Sequence, residues 1–384
     1  MFVGPWMNLL FPDAHDVLAG HVRDLTIADG RVSIRPTEHA QRVFPSGLHI
    51  LPGLIDAHAH LVTSPVLGLA GYSSSVRLSV LELKARVVRN LQEHLAHGVL
   101  AVRDVGDPTG YVSCLAAAGD EALPRVQAAG RFIAAPGRYL RGVAVEVEDE
   151  GLATAATAEA GRNGGWIKLI GDFPDRSHPT SWPRPGWSLD AVRVAVAAAH
   201  AAGARVAMHA TTSEAIELAL DADVDSIEHG CQMTEAHLRR MSVKNVSWVP
   251  TLAAFRTILN TSPSERPVLP VNLVAGGIDR ASELLRIAVQ LRVPILCGSD
   301  GAIEHGAIAA EVLELVLAGM SPREAIASAT LDSWIYLGYP NPTFDGAVAD
   351  LIAFETDPLL DPSVLGNPSI VVRAGRASLV KSIA

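Results

Sequence analysis

Cysteine is scarce in this chain: 384 residues contain three, Cys114, Cys231 and Cys297. They are far apart, odd in number and set in apolar surroundings. That excludes a disulfide framework and a Cys-x-x-Cys metal site, and reads as small buried side chains in a reducing compartment. Basic residues are also in deficit, 31 Lys and Arg against 41 Asp and Glu, for a net charge of -10. No Lys/Arg run stands out, so the cationic face that nucleic-acid binding requires is missing. No apolar run approaches the ~20 residues of a membrane-spanning helix. The start, Met1-Phe-Val-Gly-Pro-Trp-Met-Asn, lacks the basic region and apolar core of a signal peptide. These absences predict a cytoplasmic protein with no nucleic-acid or membrane partner, and leave a homo-oligomer open.

What is present is core. Hydrophobic residues make up 49% of the chain and charged residues 19%, which excludes global disorder. Short apolar segments alternate with longer helical patterns. The segments are 50–55, 99–102, 126–129, 167–170, 206–208, 226–227, 246–249 and 295–296. Helices are predicted over 76–97, 189–202 (with Ser188 as N-cap), 213–220 and 271–291. Eight strand–helix units favour a (β/α)8 TIM barrel of the α/β class over 51–345. A doubly wound open sheet is the runner-up, without a Gly-x-Gly-x-x-Gly to support a dinucleotide version. The ends differ from this middle. Residues 22–27 and 32–34 flank an Asp29-Gly30 hairpin signal, and 349–354 and 370–376 read as strands. Residues 1–50 and 346–384 are therefore expected to form a small β-sandwich domain.

The chemistry-bearing residues gather at predicted strand ends. The first segment closes on Asp56-Ala-His58-Ala-His60, and residues i and i+2 of a strand share a face, so both imidazoles can address one metal ion. Lys168 sits inside the apolar fourth segment, where a lone ammonium is costly and requires an anion or a chemical change. The fifth segment ends in His209, the sixth in Glu228-His229, and the eighth leads to Asp300 between glycines. Singly, His209 reads as a core histidine, Glu228 or His229 as a capping or locally pairing group, and Asp300 as a turn residue. Together they fall at the C-terminal rim, where barrels of this class carry their catalytic groups.

The motifs LPGLIDAHAH (51–60), GVLAVRDVGD (98–107), WIKLIG (166–171), VAMHATT (206–212), DSIEHG (225–230), WVPTL (248–252) and GSDGAIEHG (298–306) resemble the amidohydrolase superfamily. Within it they resemble the imidazolonepropionase-like and prolidase-like branch, related to Xaa-Pro dipeptidases. The tail motifs GMSPREAIASAT (319–330) and GAVADLIAFETDP (346–358) extend the resemblance over nearly the whole chain. It implies a binuclear metal centre with two divalent ions, Zn2+ by default. His58 and His60 would bind the first ion, and His209 and His229 the second. Lys168, carboxylated by carbon dioxide to a carbamate, would bridge the two. Asp300 would touch the first ion and carry the proton from a metal-bridging hydroxide. The implied activity is hydrolysis of an amide bond in a small-molecule substrate, such as a dipeptide or N-acyl amino acid. A cyclic amide, lactone or organophosphate ester is the alternative on the same site. A non-catalytic barrel with a vestigial metal site is the alternative of another class.

Substrate contacts are expected in loops. Ala135-Pro-Gly-Arg138-Tyr139-Leu-Arg141 departs from the Gly-Gly-His type sequence common in this branch. Its arginines either grip a carboxylate together with Tyr139 or remain solvated. Tyr72 and His305 are further pocket candidates. The Pro-rich loop 172–187 either forms a lid or packs Trp182 and Trp187 on the barrel.

Overall fold

The apolar run before the two histidines becomes strand Leu54–Ala59, all six residues buried. Burial on both faces is the signature of a parallel strand covered by helices. The computed structural model describes residues 7–33, 40–63, 70–163, 165–261 and 269–380. Leu54–Ala59 is barrel strand one. Strand two is Val99–Asp104, and strand three is Arg125–Ala128 continued by Phe132–Ala134. Strands four to seven are Trp166–Ile170, Arg205–Ala210, Ser226–His229 and Ser247–Val249. Each pairs in parallel with its neighbour in sequence.

Strand eight is the irregular member. Ile295 forms an isolated parallel bridge with Trp248. The Ala57 N–H donates to Cys297 O at 2.8 Å, and the Asp300 N–H donates to His58 O at 2.7 Å. Segment 294–300 thus bonds to strand seven on one side and strand one on the other. Pro294 offers no N–H of its own, which shortens the ladder. Gly298 is needed for close approach, because a Cβ there would lie 2.4 Å from the His58 Cβ.

The helices follow their caps. Val80–Ala96 begins four residues later than the apolar spacing predicts, because Ser79 and Glu82 form a capping box at its start. Leu189–Ala201 is capped by Ser188 as expected. Ser213–Asp221 starts where predicted and is capped by Thr212. Val271–Gln290 matches the long amphipathic prediction.

The terminal segments make a separate eight-stranded sheet. Leu9–Asp16, His21–Ala28, Arg31–Ser33, Arg42–Val43 and His49–Pro52 come from one end of the chain. Leu351–Phe354, Ile370–Arg373 and Arg376–Leu379 come from the other. The Asp29-Gly30 hairpin forms, pairing Ala28 with Arg31; Ile34 lies outside the described residues. The two ends join where Leu51 pairs with Ile352. The expected sandwich takes the form of one continuous sheet with its own core, including Phe11, Leu25, Ile27, Ile50, Leu351 and Val372. Strand His49–Pro52 passes through Gly53 straight into barrel strand one, so the sheet delivers the first histidine pair to the rim.

Candidate metal centre

His58 and His60 leave strand one on the same side, and both are buried. Asp300 at the end of strand eight meets them. Its Oδ1 lies 3.0 Å from His58 Nε2 and 3.4 Å from His60 Nε2. The ligand atoms of these three residues all lie within 4.8 Å of one another. His229 is adjacent, with its ring centroid 5.1 Å from that of His58 and 4.6 Å from that of His209. The four histidines and Asp300 predicted from sequence are therefore brought to one place.

Three of the four imidazoles are aimed by their other nitrogen, the device that fixes the tautomer of a metal ligand. The His58 Nδ1–H donates to Glu228 Oε2 at 2.6 Å, and the His60 Nδ1–H donates to the Gly106 carbonyl at 2.9 Å. Gly106 has φ +137, a conformation suited to glycine, and a Cβ there would meet the Phe132 ring at 2.4 Å. His229 Nδ1 pairs with Thr251 Oγ1 at 2.9 Å. Nε2 of His58 and His60 is left facing the Asp300 carboxylate.

Three non-glycine residues at the rim sit in the left-handed region: His229 at φ +73, Thr251 at φ +52 and Asp300 at φ +54. Such conformations cost about 1–3 kcal/mol each and persist where the surroundings enforce them. Glu311 provides part of that enforcement, accepting the N–H groups of Leu252 and Ala253 at 3.0 and 2.7 Å directly after Thr251.

The electrostatics favour ligation. Burial lowers the pKa of His60 and His209 and pushes His229 down to about 3, so these imidazoles are neutral at pH 7, as metal binding requires. Burial would raise the Asp300 carboxyl, but the His58 and His229 rings hold it well below its usual range. Lys168 is 2% exposed and is pushed down to about 8, chiefly by burial, with Glu228 and Asp300 opposing that fall. Among the described residues its Nζ has no hydrogen-bond partner, and neither has His209 Nε2, which lies 3.5 Å from Asp172 Oδ1. Two buried polar atoms without partners at one rim, beside a His-His-Asp cluster, are what a centre built for metal ions presents.

The sequence reading missed the layer beneath these ligands. Arg103, fully buried in strand two, donates from Nη2 to Glu228 at 3.0 and 3.2 Å and lies 4.5 Å over the Trp166 ring. Ser226 donates to the same carboxylate at 2.6 Å. Glu228, read as a local capping or pairing group, thus spans three strands. Asp172 accepts the Thr212 N–H and hydroxyl at 2.7 and 2.6 Å and holds the turn after His209. The available signal was the one that exposed Lys168: a charge inside an apolar strand, here Val-Leu-Ala-Val-Arg103-Asp104.

The expected substrate contacts divide. Tyr72 lies edge-on to His60 at 5.2 Å, and Tyr139 lies in the adjoining aromatic cluster. His305 does not offer a free nitrogen: Nδ1 pairs with His94 Nε2 at 3.3 Å, and Nε2 pairs with Thr63 O at 3.2 Å. Arg138 faces Asp175 at 3.9 Å, and Arg141 is exposed. In the loop after strand four, Asp172 pairs with Pro185 and Phe173 with Arg184. Trp187 packs into the barrel core and donates to Val147 O at 2.9 Å, whereas Trp182 is exposed. A separate cavity of about 740 Å3, lined by Arg205, Asp225, Arg292 and Tyr336, lies at the opposite ends of the strands and contains none of these ligands.

Comparison with known proteins agrees with this geometry. The model of the amidohydrolase family matches residues 49–380. An uncharacterized protein of Mycobacterium tuberculosis is 37% identical over 360 residues, covering 92% of this chain and 91% of the relative. A Xaa-Pro dipeptidase with methionine bound in its active site shares the fold with a TM-score of 0.81 at 23% identity, covering 97% of this chain and 99% of that one. A Bifidobacterium longum protein assigned as a prolidase gives 0.79 at 25% identity, covering 97% and 94%. The chain belongs to the amidohydrolase family and is a hydrolase acting on carbon–nitrogen bonds.

Proposed function

We propose that the protein is a metal-dependent hydrolase of dipeptides or N-acyl amino acids that works through two divalent ions. The observation that supports this reading is the His58–His60–Asp300 cluster, with the His229 and His209 rings beside it and two buried atoms, Lys168 Nζ and His209 Nε2, unpartnered among the described residues. His58, His60 and Asp300 would hold one ion, His209 and His229 the other, and carboxylated Lys168 would be shared by both. Zinc suits imidazole and carboxylate donors. Bound there, the ions would polarise the amide carbonyl and lower the pKa of a water molecule.

The remaining steps belong to the chain's own residues. With Lys168 held at about 8, part of it is a neutral amine near pH 7. That neutral amine adds to carbon dioxide: the N–C bond forms, one C=O π bond opens to a carboxylate, one N–H proton leaves to solvent, and the amine becomes a carbamate anion. Asp300, kept ionised by its histidine neighbours, accepts the proton of the attacking water. It returns that proton to the amide nitrogen as the C–N bond breaks. The apolar wall formed by Phe132 and Phe173 excludes water from this exchange.

The test is hydrolysis of a panel of dipeptides, N-acyl amino acids, lactones and organophosphate esters, before and after chelation and after added zinc. Amide cleavage that chelation abolishes and zinc restores is expected. Turnover of lactones or phosphate esters alone refutes the amide assignment. Amide turnover indifferent to chelation refutes the metal.

A further inference from the structure

The cavity of about 740 Å3 lies at the N-terminal ends of the strands, at the other end of the barrel from the candidate metal ligands. Arg205 opens strand five there, and Ile295 opens strand eight. Small-molecule sites span about 300–1,000 Å3, so the volume suits one ligand. The wall is of two kinds. Met320 and Ile335 give it apolar surface, with Ile335 60% exposed, and Arg205, Arg292 and Arg323 give it positive charge.

The charges lining the cavity do not balance among themselves. Glu324 accepts the Ser321 N–H and hydroxyl at 2.9 and 2.6 Å, capping its own helix. Asp225 pairs with His200 at 2.8 Å and accepts the Val206 N–H at 2.7 Å. Lys244 is paired with Asp223. Three arginines then face Asp332 as the one uncommitted acid of the lining, and among the described residues none of the three has a carboxylate within ion-pair distance. Arg292 follows a helix C-terminus, where a cation offsets the macrodipole, and Arg323 donates to Leu18 O at 2.6 Å. Arg205 stands on a strand and has neither role.

Arg205 is held in place before any ligand arrives. Its guanidinium lies 4.1 Å over the Trp166 ring and 5.5 Å from the Tyr336 ring, and Nη1 donates to Tyr336 O at 2.6 Å. Nε and Nη2 donate to nothing among the described residues, and neither is sealed from solvent, so both N–H groups are open to the cavity that Arg205 lines. Burial lowers the Arg205 pKa, with Tyr336 opposing that fall, and an anion against the guanidinium would offset the burial. The planar edge of a guanidinium matches a carboxylate with two parallel hydrogen bonds. We propose that this cavity is a second binding site, which takes an organic carboxylate with an apolar body. The carboxylate sits on Arg205, the body lies against Met320 and Ile335, and Arg292 and Arg323 supply the remaining positive charge.

The experiment titrates the zinc-loaded protein calorimetrically with naphthoate, phenylpropionate and octanoate, and with naphthalenemethanol, acetate and inorganic phosphate as controls. Expected is saturable binding of at least one of the three carboxylates, at about one per chain, with each control weaker by about tenfold or more. Arg205→Met removes the paired donors and should raise that Kd by about tenfold or more. Arg292→Glu, at an exposed position, should raise it about fivefold. Metal content should match wild type in both variants, which separates this cavity from carboxylate bound at the metal centre. The proposal is overturned if none of the three carboxylates saturates, or if naphthalenemethanol or phosphate binds as well as they do. It is also overturned if binding is unchanged in both variants, which places the carboxylate elsewhere. Should Arg205→Met fail to fold, an unchanged Kd in Arg292→Glu is by itself decisive against the proposal.

Discussion

Replacing Glu228 by Gln should damage this protein in two separable ways. The carboxylate is fully buried and accepts from His58 Nδ1 at 2.6 Å, Arg103 Nη2 at 3.0 Å and Ser226 Oγ at 2.6 Å. Burial alone would raise its pKa, yet Arg103, His58 and Lys168 hold it well below the usual range, so the folded protein contains the anion. An amide of the same shape leaves the Arg103 guanidinium buried without its counter-charge. Breaking a buried pair in this way costs about 3–5 kcal/mol. Unfolding entropy is about 2.1 cal/mol/K per residue, or about 0.8 kcal/mol/K for 384 residues. The expected fall in Tm is therefore roughly 4–6 °C. Independently, His58 loses the acceptor that fixes its tautomer, and metal affinity should fall about 10–100-fold. Thermal unfolding and competition with a chromogenic chelator read the two effects. Adding Arg103→Met should recover at least half of the stability, since it removes the buried guanidinium left without a counter-charge, while metal affinity stays low. An unchanged Tm and unchanged metal affinity in Glu228→Gln would refute this account of the network.

Lys168→Ala should lose most activity, and short carboxylic acids should partly restore it by occupying the carbamate's place; full activity of the variant sinks that role. Asp300→Asn should keep most of its bound metal and lose turnover, measured as metal content beside kcat; unchanged turnover removes Asp300 as the proton carrier. Stability should also depend on Glu311, which burial pushes up to about 8 against an ordinary value of 4.5. Between those values the unfolded chain releases the proton and the fold retains it, so the Glu311 contribution is lost as pH rises from 4.5 to about 8 and is flat above. Urea midpoints should show that decline in wild type and a shallower one in Glu311→Gln. Parallel profiles would contradict the assignment.

The strand positions of His58 and His60 were legible because a period of two needs no partner strand to be read. Lys168 was legible for a similar reason, as a charge in an apolar run is anomalous by itself. The Arg103–Glu228–His58 contact was not legible, because it depends on register across strands two, six and one, which no local pattern encodes. Strand eight lost regularity to Pro294 and to the close packing of Gly298 on His58, a tertiary demand placed on a short segment. His305 and Arg138 show the limit of loop reading: residue type suggested a pocket role, and the structure turns one toward His94 and Thr63 and the other toward Asp175.

The central claim is that this rim holds two divalent ions. Metal analysis of protein purified without chelator tests it most directly. About two divalent ions per chain are expected, falling toward one in His209→Ala with His58 and His60 intact. Less than about one ion per chain in the wild type, under conditions that supply zinc, would contradict the account.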